Sequence, residues 1–166
     1  MNIFIQQRAL KLINFLLCFC VIFSAVACND KVSPFASYPQ GDITLPSGKV
    51  LKLYVADTGP RQVTGLSGTK ANEFEADETL IFLGKKDVMR NFWMPDTYFN
   101  IDIIYLTAEF YVLDIQKNVQ HFIGREPQYK IPKAKPVYCR HVLEIKADSP
   151  FAKEITPGMT LKINIK

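Results

Sequence analysis

Ile101-Asp102-Ile103-Ile104-Tyr105-Leu106 is an apolar run broken by a single carboxylate. It reads as a strand that is apolar on both faces, with Ile101, Ile103 and Tyr105 on one and Ile104 and Leu106 on the other. Working outward, Phe110 to Ile115 follows after Thr107-Ala108-Glu109, a spacing short enough for a hairpin. Val142 to Ile145 is a further strand. Val50-Leu51-Lys52-Leu53-Tyr54-Val55 places Leu51, Leu53 and Val55 on one face. Thr160 to Lys166 alternates cleanly, as a half-exposed antiparallel strand does, and Pro157-Gly158 makes the turn before it. Helical signals are few. Pro60 to Leu66 opens after Thr58, and Ser149 to Ile155 has Ser149 as cap and Pro150 at its first position. The pattern predicts a mainly β single domain, a sandwich or partly closed barrel with one or two short helices.

The ends of the chain carry a different message. Of 166 residues, 48% are hydrophobic, a globular composition with enough length for one proper core. Arg8 and Lys11 precede an apolar stretch, Leu12 to Ala27, which is short for a membrane span and suits a signal peptide. It ends Ser24-Ala25-Val26-Ala27-Cys28, which resembles a bacterial lipobox: small side chains before the cut, then a thiol to carry lipid. Ala25-Val26-Ala27 also fits a plain secretory cleavage site. The expected organisation is a signal peptide over 1–27, a tether over 28–41 starting at lipidated Cys28, and a β domain over 42–166. Lipid would then hold the domain to the membrane, at the bacterial cell envelope and outside the cytoplasm. Loss of Cys18 and Cys20 with the signal leaves Cys139 without a disulfide partner. The net charge of +4 falls to about +2 without Arg8 and Lys11, too balanced to argue for nucleic acid.

Phe92-Trp93-Met94-Pro95-Asp96-Thr97-Tyr98-Phe99 gathers the only tryptophan, a methionine and further rings just before Asp102. It reads either as core and turn or as the wall of a pocket. Asp102 sits in a strand without a polar face, so its carboxylate needs a nearby donor. Arg61 is the cation expected to pair with it. Thr97 and the backbone amides of the Asp96-Thr97 turn are the alternative.

At this point the chain resembles a known family, the domain of unknown function 192 family, from about Val50 to Ile165. Four motifs carry the resemblance, in order. They are Arg61-Gln62-Val63-Thr64-Gly65-Leu66; Asp77-Glu78-Thr79-Leu80-Ile81-Phe82; Phe92-Trp93-Met94 with Thr97, Ile101 and Asp102; and His141-Val142-Leu143-Glu144. The sequence departs from the family pattern at Ser67, Thr79, Asn100 and His141. The resemblance implies a mainly β, often exported domain and brings no activity with it. Arg61, Trp93, Met94, Thr97, Asp102 and Glu144 are accordingly the candidate binding or structural polar site.

Signals for chemistry are weak. Gly65-Leu66-Ser67-Gly68-Thr69 lacks the last glycine of a nucleophile elbow. Two histidines and one mature cysteine argue against zinc, and no cofactor motif is present. Cys139 and His141 would share a strand face at i and i+2, and Asp102 with Glu144 would form a carboxylate pair if their strands bring them together. Between Lys117 and Arg140 six cations face one acid, with three prolines. Lys130, Lys133 and Lys135 form a candidate loop facing an anionic envelope component or an envelope protein. The sequence therefore favours a non-catalytic envelope binding or accessory module. A hydrolase-like enzyme using Asp102, Glu144 and Arg61 on an envelope polymer competes with it, and a structural assembly factor is a third reading.

Overall fold

The computed structural model describes Ser33–Lys166; the expected signal peptide, the lipobox-like Ser24 to Ala27 and the expected lipidation site Cys28 lie outside the described residues. In chain order the elements are β1 (Gln40–Thr44), β2 (Val50–Ala56), α1 (Gly59–Thr64), β3 (Glu78–Phe82), β4 (Val88–Arg90), β5 (Ile101–Leu106), β6 (Val112–Val119), β7 (Val137–Cys139), β8 (His141–Lys146) and β9 (Lys162–Ile165). Seven strands form one sheet in the order β6-β5-β8-β3-β2-β1-β9, and β4 with β7 makes a separate ribbon. The pairings in the large sheet are antiparallel except β2 with β3, whose parallel register needs a crossover; α1 lies within it.

The strand positions follow from their sequences. Every residue of β5 is buried, as is every residue of β3, because these strands sit mid-sheet with both faces covered. The alternating strand β9 stands at an edge, antiparallel to β1. The two sheet edges meet at one corner only. Tyr111 bridges Thr160, Val112 N–H donates to Met159 O at 2.8 Å, and Leu161 N–H donates to Phe110 O at 3.0 Å. The fold is thus mainly β, with a large curled sheet that does not close into a barrel.

Each face of the sheet carries its own core. Ile43, Leu51, Leu53, Val55, Ile104 and Leu143 belong to one, covered by the 3-10 turn Pro150–Glu154 through Ala152 and Ile155. Ser149 caps that turn by accepting the Phe151 N–H, as its sequence position predicts. Tyr54, Leu80, Ile101, Ile103, Tyr105 and Val142 belong to the other, which is covered by loops rich in aromatic rings. The stretch expected to be a tether as far as residue 41 is built into this second core over its described part. Phe35 is 2% exposed, stacks on Tyr54 at 4.7 Å and meets Phe74 edge-on, and β1 already begins at Gln40. Such ring pairs add about 0.5–1.5 kcal/mol each beyond the area they bury. A single anchoring ring leaves no periodicity, so the pattern of the sequence did not reveal it.

Candidate functional site

The four sequence motifs converge on one open pocket of about 500 Å³ on the aromatic face of the sheet. The first motif supplies α1 and the turn after it. Gln62, Thr64, Leu66 and Ser67 face the cavity from there. Gly65 ends the helix with a φ of +48°, a backbone conformation that favours glycine, and a Cβ at this position would crowd the Phe82 ring at 3.1 Å. The turn is tied to the third motif by two bonds: Ser67 Oγ donates to Pro95 O at 2.8 Å, and Gly68 N–H donates to Asp96 O at 2.8 Å. Ser67 is one of the residues read above as departing from the resembled family's pattern, so this clasp uses one of those departures.

The third motif builds the opposite wall. Met94 is 2% exposed, whereas Trp93 is 46% exposed and stands at the mouth with Met89. Thr97 Oγ1 donates to Pro95 O at 3.3 Å, and the Thr97 N–H donates to Phe122 O at 2.9 Å. The second motif contributes Phe82, whose ring meets Phe92 edge-on at 4.8 Å. The fourth contributes Glu144 on β8, where strand alternation turns Glu144 with Val142 to this face and Leu143 with Ile145 to the other. Glu144 is 4% exposed and lines the pocket, and no described residue donates a hydrogen bond to its carboxyl. Burial pushes that carboxyl up to about 8. Arg90 and Arg125 add positive charge to the lining, and Arg90 Nε is itself buried without a hydrogen-bond partner.

Trp93, Met94, Thr97 and Glu144 therefore line one cavity, while Arg61 and Asp102 are elsewhere. The expected Arg61–Asp102 ion pair does not form. Arg61 donates to Asp57 Oδ1 and to Ser37 O, both at 2.6 Å. Asp102 is 3% exposed, accepts the Asn118 N–H on Oδ1 at 2.7 Å, and receives Lys117 Nζ on Oδ2 at 3.2 Å. The reason is a β-bulge. Ile101 pairs with Val119 and Ile103 with Gln116, so Lys117 and Asn118 both lie opposite Asp102. The bulge leaves a backbone amide to satisfy, and the buried carboxylate does so. The Asp96-Thr97 amides go to Gly124 and Phe122 oxygens instead.

The other chemical pairings also come apart. Ile103 is the register partner of Glu144, and Asp102 that of Ile145, so the two carboxylates emerge on opposite faces of the sheet. Arg140 interrupts the strand between Cys139 and His141, which end in different sheets. Cys139 is buried, and burial raises its thiol pKa, the reverse of what a nucleophile needs. His141 packs its ring against Phe110, and its Nδ1 accepts the Gly84 N–H at 3.1 Å. Burial first, then the charges of Arg140 and Arg90, hold its pKa below the ordinary range. Among the described residues, no three His, Cys, Asp or Glu side chains gather as a metal site would require.

The basic loop is fixed along its backbone and free at its side chains. Met94 N–H donates to Pro132 O and Ala134 N–H to Phe92 O, making Lys133 the bridge partner of Trp93. Gln116 accepts the Lys135 N–H at 2.6 Å and donates to Lys135 O at 2.8 Å. Lys130, Lys133 and Lys135 are exposed and none takes part in the ion pairs of the described residues. The pocket and the loop thus lie on one side of the Trp93 segment and on its paired partner.

Sequence reasoning did not single out Gln62 or Arg90, and it read Ser67 only within a weak elbow-like stretch and as a departure from the family pattern. Arg90 lies two residues before the Phe92-Trp93-Met94 cluster, and Gln62 carries no signal beyond lying in the first motif.

This is a mainly β domain with a ligand-sized, solvent-open pocket walled by aromatic and sulfur side chains. The chain belongs to the DUF192 family, described as "Uncharacterized ACR", whose profile matches residues 43–163. No curated protein matches it. A crystal structure of a protein of unknown function from Novosphingobium aromaticivorans DSM 12444 is similar at 27% identity, with a TM-score of 0.57 over 75% of this chain and 83% of that one. A proposed transcription regulator from Sinorhizobium meliloti 1021 is similar at 20% identity and a TM-score of 0.57, over 77% of this chain and 95% of that one, a likeness that shows the fold alone.

Proposed function

We propose that this chain is a lipid-anchored cell-envelope binding or accessory module that takes a small molecule into the pocket above Glu144. The observation that carries the reading is an unpartnered, nearly buried carboxyl at the base of an open cavity with Trp93 at its mouth. A fold selected for packing alone would fill such a position with an apolar side chain, since an unpaired buried carboxyl costs several kcal/mol. The anchoring half of the proposal rests on the lipobox-like Ser24 to Cys28 sequence. The hydrolase reading calls for Asp102, Glu144 and Arg61 in one cleft, and their separation takes its support away. An assembly factor calls for a flat apolar patch, which does not account for Glu144.

The test is capture of a small molecule from an envelope extract by the purified protein, read by mass spectrometry of what it releases on denaturation. Thr64→Trp is the control, because Thr64 is an exposed lining residue whose enlargement blocks the mouth without entering the core. A compound retained by the wild type and lost from Thr64→Trp is expected. Equal retention by both, or none by either, would sink the pocket reading.

A further inference from the structure

The polar groups of the pocket show what its occupant must bring. Gln62 Nε2 already donates to Ala56 O and Leu83 O, and the hydroxyls of Ser67 and Thr97 both donate to Pro95 O. Glu144 has no such partner. Leu80 and Ile103 flank it across the neighbouring strands, and no described side chain of the sheet donates to it. A carboxyl so placed gains most from a cationic N–H donor, which replaces lost hydration with a charge-assisted bond. Phe82, Met94 and Trp93 offer a narrow apolar and aromatic surface beside it, and an exposed indole face also attracts cations. A plain amine, however, must share the lining with Arg125, an exposed cation that suits an anion.

Building on the pocket reading above, we propose that the ligand is a small zwitterion with an apolar body: its ammonium group is received by Glu144, its body lies against Phe82, Met94 and Trp93, and its anionic group faces Arg125. Free amino acids with apolar side chains and the ends of short peptides both have this chemistry. Deep ammonium and outer anion then match the buried carboxyl and the exposed guanidinium at once, which neither a fatty acid nor a simple amine does. Because Glu144 is protonated in the empty pocket at neutral pH, ammonium binding is coupled to release of its proton. The titratable groups packed behind the floor, Tyr105 and Cys139, have raised pKa values and stay neutral over that range.

Trp93 is the only tryptophan of the chain, so intrinsic fluorescence reports directly from the pocket mouth. The probes are L-phenylalanine, phenethylamine, 3-phenylpropanoate and 2-phenylethanol, which share one skeleton and differ in charge. The purified full chain is expected to bind phenylalanine most tightly, and more tightly near about pH 8 than near about pH 6. Glu144→Gln should weaken phenylalanine and phenethylamine by about tenfold or more while leaving the two probes without an amine within about twofold. Arg125→Gln should weaken phenylalanine but not phenethylamine. Thermal melting of each variant, at or above the wild-type value for Glu144→Gln, separates lost binding from lost folding. If 2-phenylethanol and 3-phenylpropanoate bind as well as phenylalanine and Glu144→Gln changes nothing, the zwitterion proposal is wrong and the pocket reading survives. If no probe alters Trp93 emission while the envelope extract still yields a Thr64-dependent ligand, the ligand class is wrong. If both experiments are blank, the pocket reading falls with it.

Discussion

Asp102 Oδ1 accepts the backbone N–H of Asn118 at 2.7 Å, across a bulge where two residues of β6 oppose one of β5. Asn118 has a φ of +54°, the left-handed conformation that such a bulge demands. The polar residue in the middle of the most apolar strand is thus a structural fixture that holds the bend of an edge strand. Lys117 completes the contact from a 54% exposed side chain, where solvent screens most of the ion pair.

This relationship ranks three substitutions. Asp102→Leu leaves a bulge amide without its acceptor and should destabilise by about 2–3 kcal/mol in denaturant unfolding. Lys117→Ala should cost no more than about 1 kcal/mol. Arg61→Ala should combine additively with Asp102→Leu, because the two residues share no partner. A coupling energy well above about 0.5 kcal/mol between residues 61 and 102 would contradict the geometry.

Glu144 makes stability depend on pH in a predictable direction. Its carboxyl is raised by burial from 4.5 to about 8 in the folded chain. Between those values the unfolded chain loses this proton and the folded chain keeps it, so the folded state binds more protons and stability falls as pH rises. The stability associated with Glu144 is complete below about pH 4.5 and is lost by the time pH passes about 8. Glu144→Gln removes the group and should stabilise the domain at pH 8.5 by on the order of a few kcal/mol, with little effect at pH 4.5. Unfolding curves of both proteins at the two pH values measure this. Equal differences at the two pH values would mean that the carboxyl is not buried as described.

Lipidation at Cys28 should show in the intact mass of the membrane-extracted protein, which is expected to begin at residue 28 with acyl chains added. Cys28→Ser should move the domain from the membrane to the soluble fraction. A mature chain starting at Cys28 with a free amine and no acyl mass would rule the anchor out.

The exposed lysines of the loop paired with the Trp93 segment should bind an anionic surface in a salt-dependent manner. Sedimentation with vesicles containing phosphatidylglycerol should fall when Lys130, Lys133 and Lys135 are all changed to Gln. It should also fall between about 0.1 M and about 1 M salt, where the Debye length shrinks from about 10 Å to about 3 Å. Because the three side chains are exposed, the triple variant should keep the wild-type melting temperature. Unchanged sedimentation in both comparisons would make the loop a solvated surface and nothing more.

Strand periodicity was enough to determine the class of this fold. Ile101 to Leu106 reads as a strand buried on both faces because all but one of its side chains are apolar, and Thr160 to Lys166 reads as a half-exposed strand because its polarity alternates. Those are properties of a strand with its own neighbours in sequence. The motif resemblance likewise selected Trp93, Met94, Thr97 and Glu144 before any of them could be placed. Tertiary structure alone decided what these residues do. Whether Asp102 meets Arg61 or the Asn118 amide depends on a one-residue register shift between β5 and β6, which no local pattern encodes. Whether Asp102 and Glu144 act together depends on how β5 and β8 are registered, and a shift of one residue sends a side chain to the other face. Phe35 looked like part of a tether because its partners, Tyr54 and Phe74, are distant in the chain, and burial by distant partners leaves no periodic trace. The empty space above Glu144 belongs to the same class of fact, since a pocket is made where separate segments fail to touch.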